Sequence, residues 1–87
     1  MSDLTKLPNI GKVVAEQLKK VGIESAEELK QIGSENAFIR LKTIDPGACI
    51  SMLCALEGAV QGIRWHQLRP ERKQELLEFL KMVEKDQ

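Results

Sequence analysis

Leu7-Pro8-Asn9-Ile10-Gly11-Lys12 is the stretch on which the reading of this chain turns. Proline fixes φ, asparagine tolerates the left-handed region and glycine allows close backbone approach, so these residues predict a tight, rigid turn. The turn delivers the chain into an amphipathic helix expected from Lys12 to Val21, with Val14, Leu18 and Val21 on one face. Backbone N–H groups that point outward beside a helix N-terminus suit a phosphate, and Lys12 adds a cation. The same residues also read as a purely structural corner, since Pro, Asn and Gly serve any turn between helices.

On the N-terminal side of the turn, a short helix is expected from Ser2 to Leu7, capped by Ser2 or Asp3 and ended by Pro8. On the C-terminal side, Gly22 stops the first long helix, and Lys19 and Lys20 suit the negative end of its dipole. Ser25-Ala26-Glu27-Glu28 has the capping-box form, so a helix follows to about Ile32, terminated by Gly33. Ser34 is expected to cap a further helix with Ala37, Leu41 and Ile44 in register and Phe38 beside them, and Asp45-Pro46-Gly47 breaks the chain again.

From Ala48 to Gly62 nearly every face is apolar, and Ala55, Gly58 and Ala59 are small enough to admit close neighbours, so this helix is expected at the buried centre. Arg64-Trp65-His66-Gln67 reads as a connection. Pro70 opens a final helix with Leu76, Leu80 and Val83 as its inner stripe and Phe79 adjacent. Apolar residues recur at three- and four-residue spacing and never alternate for long. The fold class is therefore all-α: a compact domain of five to six helices, with a helix-hairpin-helix-like N-terminal unit around a buried central helix.

With 87 residues the chain suits one domain, residues 1–87, with room for a single core. Lys+Arg 13 against Asp+Glu 13 leaves no net charge, which disfavours binding of nucleic acid through bulk electrostatics. The charge is uneven, however. Lys6, Lys12, Lys19 and Lys20 dominate the first quarter, whereas Glu24, Glu27, Glu28 and Glu35 face only Lys30 in the stretch that follows. There is no secretory leader pattern and no apolar run of bilayer length, so a cytoplasmic location without membrane contact is expected.

Cys49 and Cys54 lie five residues apart on one expected helix, pointing roughly 140° apart, so they are not expected to pair. Their spacing is not that of a metal site and His66 is the only histidine, so no metal or other cofactor is expected and both cysteines read as buried small hydrophobes. No nucleophile-base-orienter set and no nucleotide-hydrolase phosphate loop is present, so the chain is expected not to be an enzyme. Trp65 and His66 beside Arg64 offer a recognition surface for a base or a partner side chain. The packing reading has Trp65 clamp the loop against the core, with His66 at the surface or as a cap. Arg69, Arg72 and Lys73, interrupted by Glu71 and Glu75, read as a solvated helix start.

Residues 3–23, D-L-T-K-L-P-N-I-G-K-V-V-A-E-Q-L-K-K-V-G-I, resemble the helix-hairpin-helix motif of DNA repair, recombination and transcription proteins. The resemblance extends further. L-P-N-I-G-K, G-I-E-S-A-E-E-L, L-C-A-L-E-G-A-V-Q-G-I-R-W-H-Q-L and P-E-R-K-Q-E-L, in that order, resemble the C-terminal domain of the TfoX/Sxy competence regulators, here as a standalone copy. It implies a helical fold built around the hairpin and an association with bacterial regulation of DNA uptake. The motif's phosphate-contacting backbone would fall on Asn9, Ile10 and Gly11, with Lys12 opening the second helix and Ala15 allowing close packing. Asn9 departs from the glycine of the pattern, so a side chain is expected to project where backbone meets phosphate. A second hairpin is not evident, and Gly58 and Gly62 are spaced like helix-packing positions.

Two functions fit these residues. In one, a non-enzymatic regulatory module contacts the DNA phosphate backbone through Asn9, Ile10, Gly11 and Lys12, with Lys19, Lys20 and Lys6 adding attraction, in competence or transcription-related control. In the other, the hairpin is structural, and the acidic helix or the Trp65–His66 region docks a protein partner or a second copy.

Overall fold

The computed structural model describes residues 3–85. Among them the chain is entirely helical: a 3₁₀ turn Leu4–Lys6, α1 Lys12–Lys20, α2 Ala26–Ile32, α3 Ser34–Ile44, α4 Ile50–Gln61, a 3₁₀ turn Trp65–Gln67 and α5 Pro70–Lys85. The all-α expectation is met. α4 is the central element, packed on α2, α3, α5 and the second 3₁₀ turn, while α1 rests on α3 and the first 3₁₀ turn. Leu53, Leu56 and Ala59 of α4 are fully buried, together with Leu4, Leu18, Ile23, Leu29, Phe38, Leu41 and Leu76 from the surrounding elements. Each such large side chain stabilises the fold by about 1.5–3 kcal/mol relative to exposure.

The opening helix shrinks to a single 3₁₀ turn, because Pro8 leaves too few residues upstream for a full helical turn to repeat. Asp3 does not cap it. Its Oδ1 instead accepts from the Ala26 N–H at 2.8 Å, tying the start of the chain to the start of α2; Ser2 lies outside the described residues. Ser25 caps α2 as expected, accepting from the Glu28 N–H at 3.1 Å, while the Glu28 carboxylate reaches back to the Glu24 N–H at 3.3 Å. α1 closes on a Schellman motif, with Ile23 N–H to Leu18 O at 2.9 Å and Gly22 N–H to Lys19 O at 3.1 Å.

Three expectations are corrected. Gly33, not Ser34, stands between α2 and α3, so Ser34 is the first helical residue and its buried hydroxyl turns inward to Glu57. Ile44 ends α3 at 44% exposure; the buried face is Ala37, Phe38 and Leu41, joined by Lys42, whose ammonium donates to the Pro46 carbonyl at 2.9 Å. α4 begins at Ile50, so Cys49 is its exposed N-cap residue and only Cys54 is a buried small hydrophobe. In α5, Leu76 and Leu80 are buried, with Phe79 packed against the core and Val83 half-buried.

Candidate nucleic-acid interface

Asn9 sits at φ 69°, the backbone region that the hairpin pattern ordinarily fills with glycine. Its side chain does not project outward as the sequence implied. Nδ2 donates to the Ile63 carbonyl at 3.0 Å and to the Ala55 carbonyl at 3.4 Å, and Oδ1 accepts from the Trp65 N–H at 3.2 Å. A carbonyl in the middle of α4 and two polar groups in the connection after it attract the amide inward, which leaves the outer surface of the turn to backbone. Ile10 buries its side chain, so it too reaches the surface only through its backbone.

Gly11 is extended and exposed at the N-cap of α1, and no side chain caps the helix there. The first N–H groups of any α-helix lack intrahelical partners. Here no acidic residue occupies the first turn, and exposed Lys12 stands at its start. Ala15, at 4% exposure, lets α1 approach its neighbours closely, as expected. Lys19 and Lys20 are exposed but occupy the opposite end of α1, about 12 Å along its axis at 1.5 Å per residue, so they do not converge with Lys12 on the turn.

The expectation that Trp65 clamps the connection against the core is overturned, since Trp65 is 52% exposed. Leu68, at 3% exposure, is the anchor instead, with its N–H closing the 3₁₀ turn on the Trp65 carbonyl at 3.3 Å. Gln67 caps that turn by accepting from the Arg64 N–H at 3.1 Å. Upstream, α4 ends in a second Schellman motif, Ile63 N–H to Gly58 O at 2.9 Å and Gly62 N–H to Ala59 O at 3.2 Å, with Gly62 left-handed at φ 78°. Gly58 is a point of close approach to the hairpin turn and the connection, not to a helix, and Gly62 is a left-handed cap with open space beside it, so the helix-packing reading of the two glycines is corrected. A Cβ at Gly58 would lie 2.5 Å from Asn9 Nδ2, 2.7 Å from the Ile63 carbonyl oxygen and 3.3 Å from the Trp65 Cα. The exposed His66 ring meets Trp65 edge-on, centroids 5.9 Å apart at 87°. Asn9 therefore ties the turn to the backbone of the second 3₁₀ turn at Trp65.

A separate polar cluster on α3, α4 and α5 went unread in the sequence. Glu57, at 7% exposure, accepts from the Ser34 hydroxyl, from Gln61 Nε2 at 2.6 Å and from an Arg72 nitrogen at 3.1 Å. Arg72 is thus not a solvated residue at the helix start; it pairs also with Glu75 at 3.1 Å and Glu35 at 3.5 Å. Burial pushes the Glu57 carboxyl up, but the hydrogen bonds from Arg72, Ser34 and Gln61 outweigh it and hold the group below its ordinary value. The same bond to Glu57 holds the Arg72 guanidinium further above its own. A recess of about 290 Å³ beside these residues is lined by Gly33, Ser34, Glu35, Glu57 and Arg72 among others. The signal that could have revealed the cluster is a lone carboxylate in an apolar helix with glutamine four residues on. Its arginine partner lies on another element.

These features define a small all-helical domain whose N-terminal helix-hairpin-helix-like corner is bolted to the junction after its central helix. The chain belongs to the TfoX C-terminal domain family, matched over residues 1–80. It is similar to an uncharacterized protein from Listeria monocytogenes solved in a triclinic crystal form. Identity is 52%, the match covers 93% of this chain and 92% of that one, and the TM-score is 0.91. It is also similar to a protein of unknown function from Listeria monocytogenes in a tetragonal form, at 51% identity, covering 91% of this chain and 98% of that one, TM-score 0.88. Among curated proteins there is no match. Among the described residues, no helix is long and apolar enough to cross a membrane.

Proposed function

We propose that this domain is a non-enzymatic regulatory module that associates with the DNA phosphate backbone through the N-terminus of α1 and Lys12, in competence or transcription-related control. One observation carries the reading. The Asn9 side chain turns inward on a left-handed backbone, so the residue that departs from the glycine pattern leaves the outer face of the turn as open as glycine would. Gly11 then presents an uncapped helix start beside an exposed lysine, and helix dipole and amides both favour a phosphate oxygen there. A single hairpin neutralises few phosphates, so the expected affinity is that of weak non-specific binding, on the order of 10⁻⁴ to 10⁻⁶ M at physiological salt. A DNA partner carries with it a cytoplasmic location.

The test is a fluorescence-anisotropy titration of labelled duplex and single-stranded DNA at several salt concentrations. Binding is expected at low salt and weakens as salt rises. Lys12→Glu should reduce affinity across all sequences and lower the salt slope by about one. No binding at low salt, or binding indifferent to Lys12→Glu, overturns the proposal.

A further inference from the structure

We infer that Trp65 is a stacking platform for an unpaired nucleotide of single-stranded or frayed DNA, whose neighbouring phosphate lies against the α1 turn and Lys12. The inference rests on the DNA reading above and names its substrate class. Tryptophan is highly buried on average, yet this one is 52% exposed. A loose loop does not explain the exposure. The Trp65 N–H is held by Asn9 Oδ1, its carbonyl by the Leu68 N–H, and its Cα lies where Gly58 has no side chain to displace it. The backbone is fixed while the ring faces outward, with the His66 ring supporting one side edge-on.

Charge points the same way. Residues 8–13 and 63–70, which Asn9 joins in space, contain Lys12, Arg64 and Arg69 and no carboxylate, although the whole chain is neutral. These two segments carry three cations, and the nearest carboxylates along the chain are Glu16 and Glu71. An intact duplex keeps its base faces stacked internally and offers nothing to an exposed indole, whereas an unpaired base offers its whole face. Base–aromatic stacking is tolerant of sequence, and a basic track for the backbone beside an aromatic platform is the usual arrangement for single strands. Arg64, His66 and Gln67, the neighbours of Trp65 in sequence, are polar and exposed, which suits a nucleotide better than an apolar protein surface.

Trp65 is the only tryptophan and the chain has no tyrosine, so intrinsic fluorescence of the full chain reports on this ring alone. The experiment titrates a 12-nucleotide single strand and the blunt duplex of the same sequence at low salt, following Trp65 fluorescence and, independently, the anisotropy of dye-labelled DNA. The single strand is expected to bind more tightly and to quench Trp65. Trp65→Ala should weaken single-strand binding roughly 5- to 150-fold, the loss of one stacked base, with duplex binding unchanged and Trp65→Phe partly restoring affinity. Circular dichroism checks that each variant is folded. DNA binding that depends on Lys12 but leaves Trp65 unquenched and Trp65→Ala neutral overturns the stacking site and leaves the phosphate reading standing. No binding to either DNA overturns both. Co-purification of a protein lost on Trp65→Ala, without single-strand binding, also overturns the inference.

Discussion

A non-glycine residue in the left-handed region costs roughly 1–2 kcal/mol, and Asn9 adopts it at φ 69°. Its own side chain holds it there, through hydrogen bonds to groups 46 to 56 residues away in sequence. The two requirements can be separated by substitution. Asn9→Gly keeps the backbone freedom but leaves the Trp65 N–H and the Ile63 carbonyl without their partner; about 1–3 kcal/mol of stability should be lost. Asn9→Ala removes the same hydrogen bonds and adds the cost of a Cβ at positive φ, so it should be the more destabilising of the two. Urea denaturation of both variants checks the order, and Asn9→Ala as stable as Asn9→Gly would show that backbone strain contributes nothing. Cys49 shows the same dependence on local partners in a milder form. Its thiol is held below the ordinary value by hydrogen bonding with Ser51, while burial raises that of Cys54.

At the scale of elements, the decisive contact is the packing of the hairpin turn onto the C-terminal half of α4, which only glycine at position 58 permits. Alanine is the better helix former by about 1 kcal/mol. Here, though, its Cβ would meet Asn9 Nδ2 and the Ile63 carbonyl at 2.5 and 2.7 Å, well inside contact distance. Overpacking of this kind costs about 1–3 kcal/mol, so Gly58→Ala should be net destabilising and should lower the melting temperature by several degrees. It should also loosen the Trp65 backbone, which increased amide hydrogen exchange at Trp65 would register. The sequence made the elements themselves legible, because Pro8, Gly22, the Ser25–Glu28 box, Gly33, Asp45-Pro46-Gly47 and Pro70 act on their immediate neighbours. It did not make this contact legible. Asn9 and Gly58 are each ordinary in their own surroundings, and only the fold brings them together. The same holds for Trp65, where a prior for burial gave the wrong answer because Leu68 does the anchoring.

At the scale of the molecule, α3, α4 and α5 are tied by one buried carboxylate, and this sets how stability responds to pH. Glu57 is more acidic in the folded protein than its ordinary value of 4.5, because Arg72, Ser34 and Gln61 favour the charged form against the cost of burial. The unfolded chain therefore takes up a proton at this residue before the folded protein does. The stabilisation is complete above pH 4.5 and is lost progressively as pH falls from there through the lower folded value. Arg72→Ala removes the cation while leaving the carboxylate buried with only Ser34 and Gln61, so it should destabilise the domain at pH 7. Removing one partner of a buried pair costs about 3–5 kcal/mol when burial is complete, and less here because Arg72 is 29% exposed. The penalty of Arg72→Ala should shrink as pH falls below 4.5, since a protonated Glu57 no longer needs the guanidinium. Glu57→Gln should flatten the acid limb of the stability profile directly. Urea denaturation of the wild type and both variants between pH 7 and pH 3 measures this. An Arg72→Ala penalty that stays constant across that range would mean that the pair does not couple the three helices through charge.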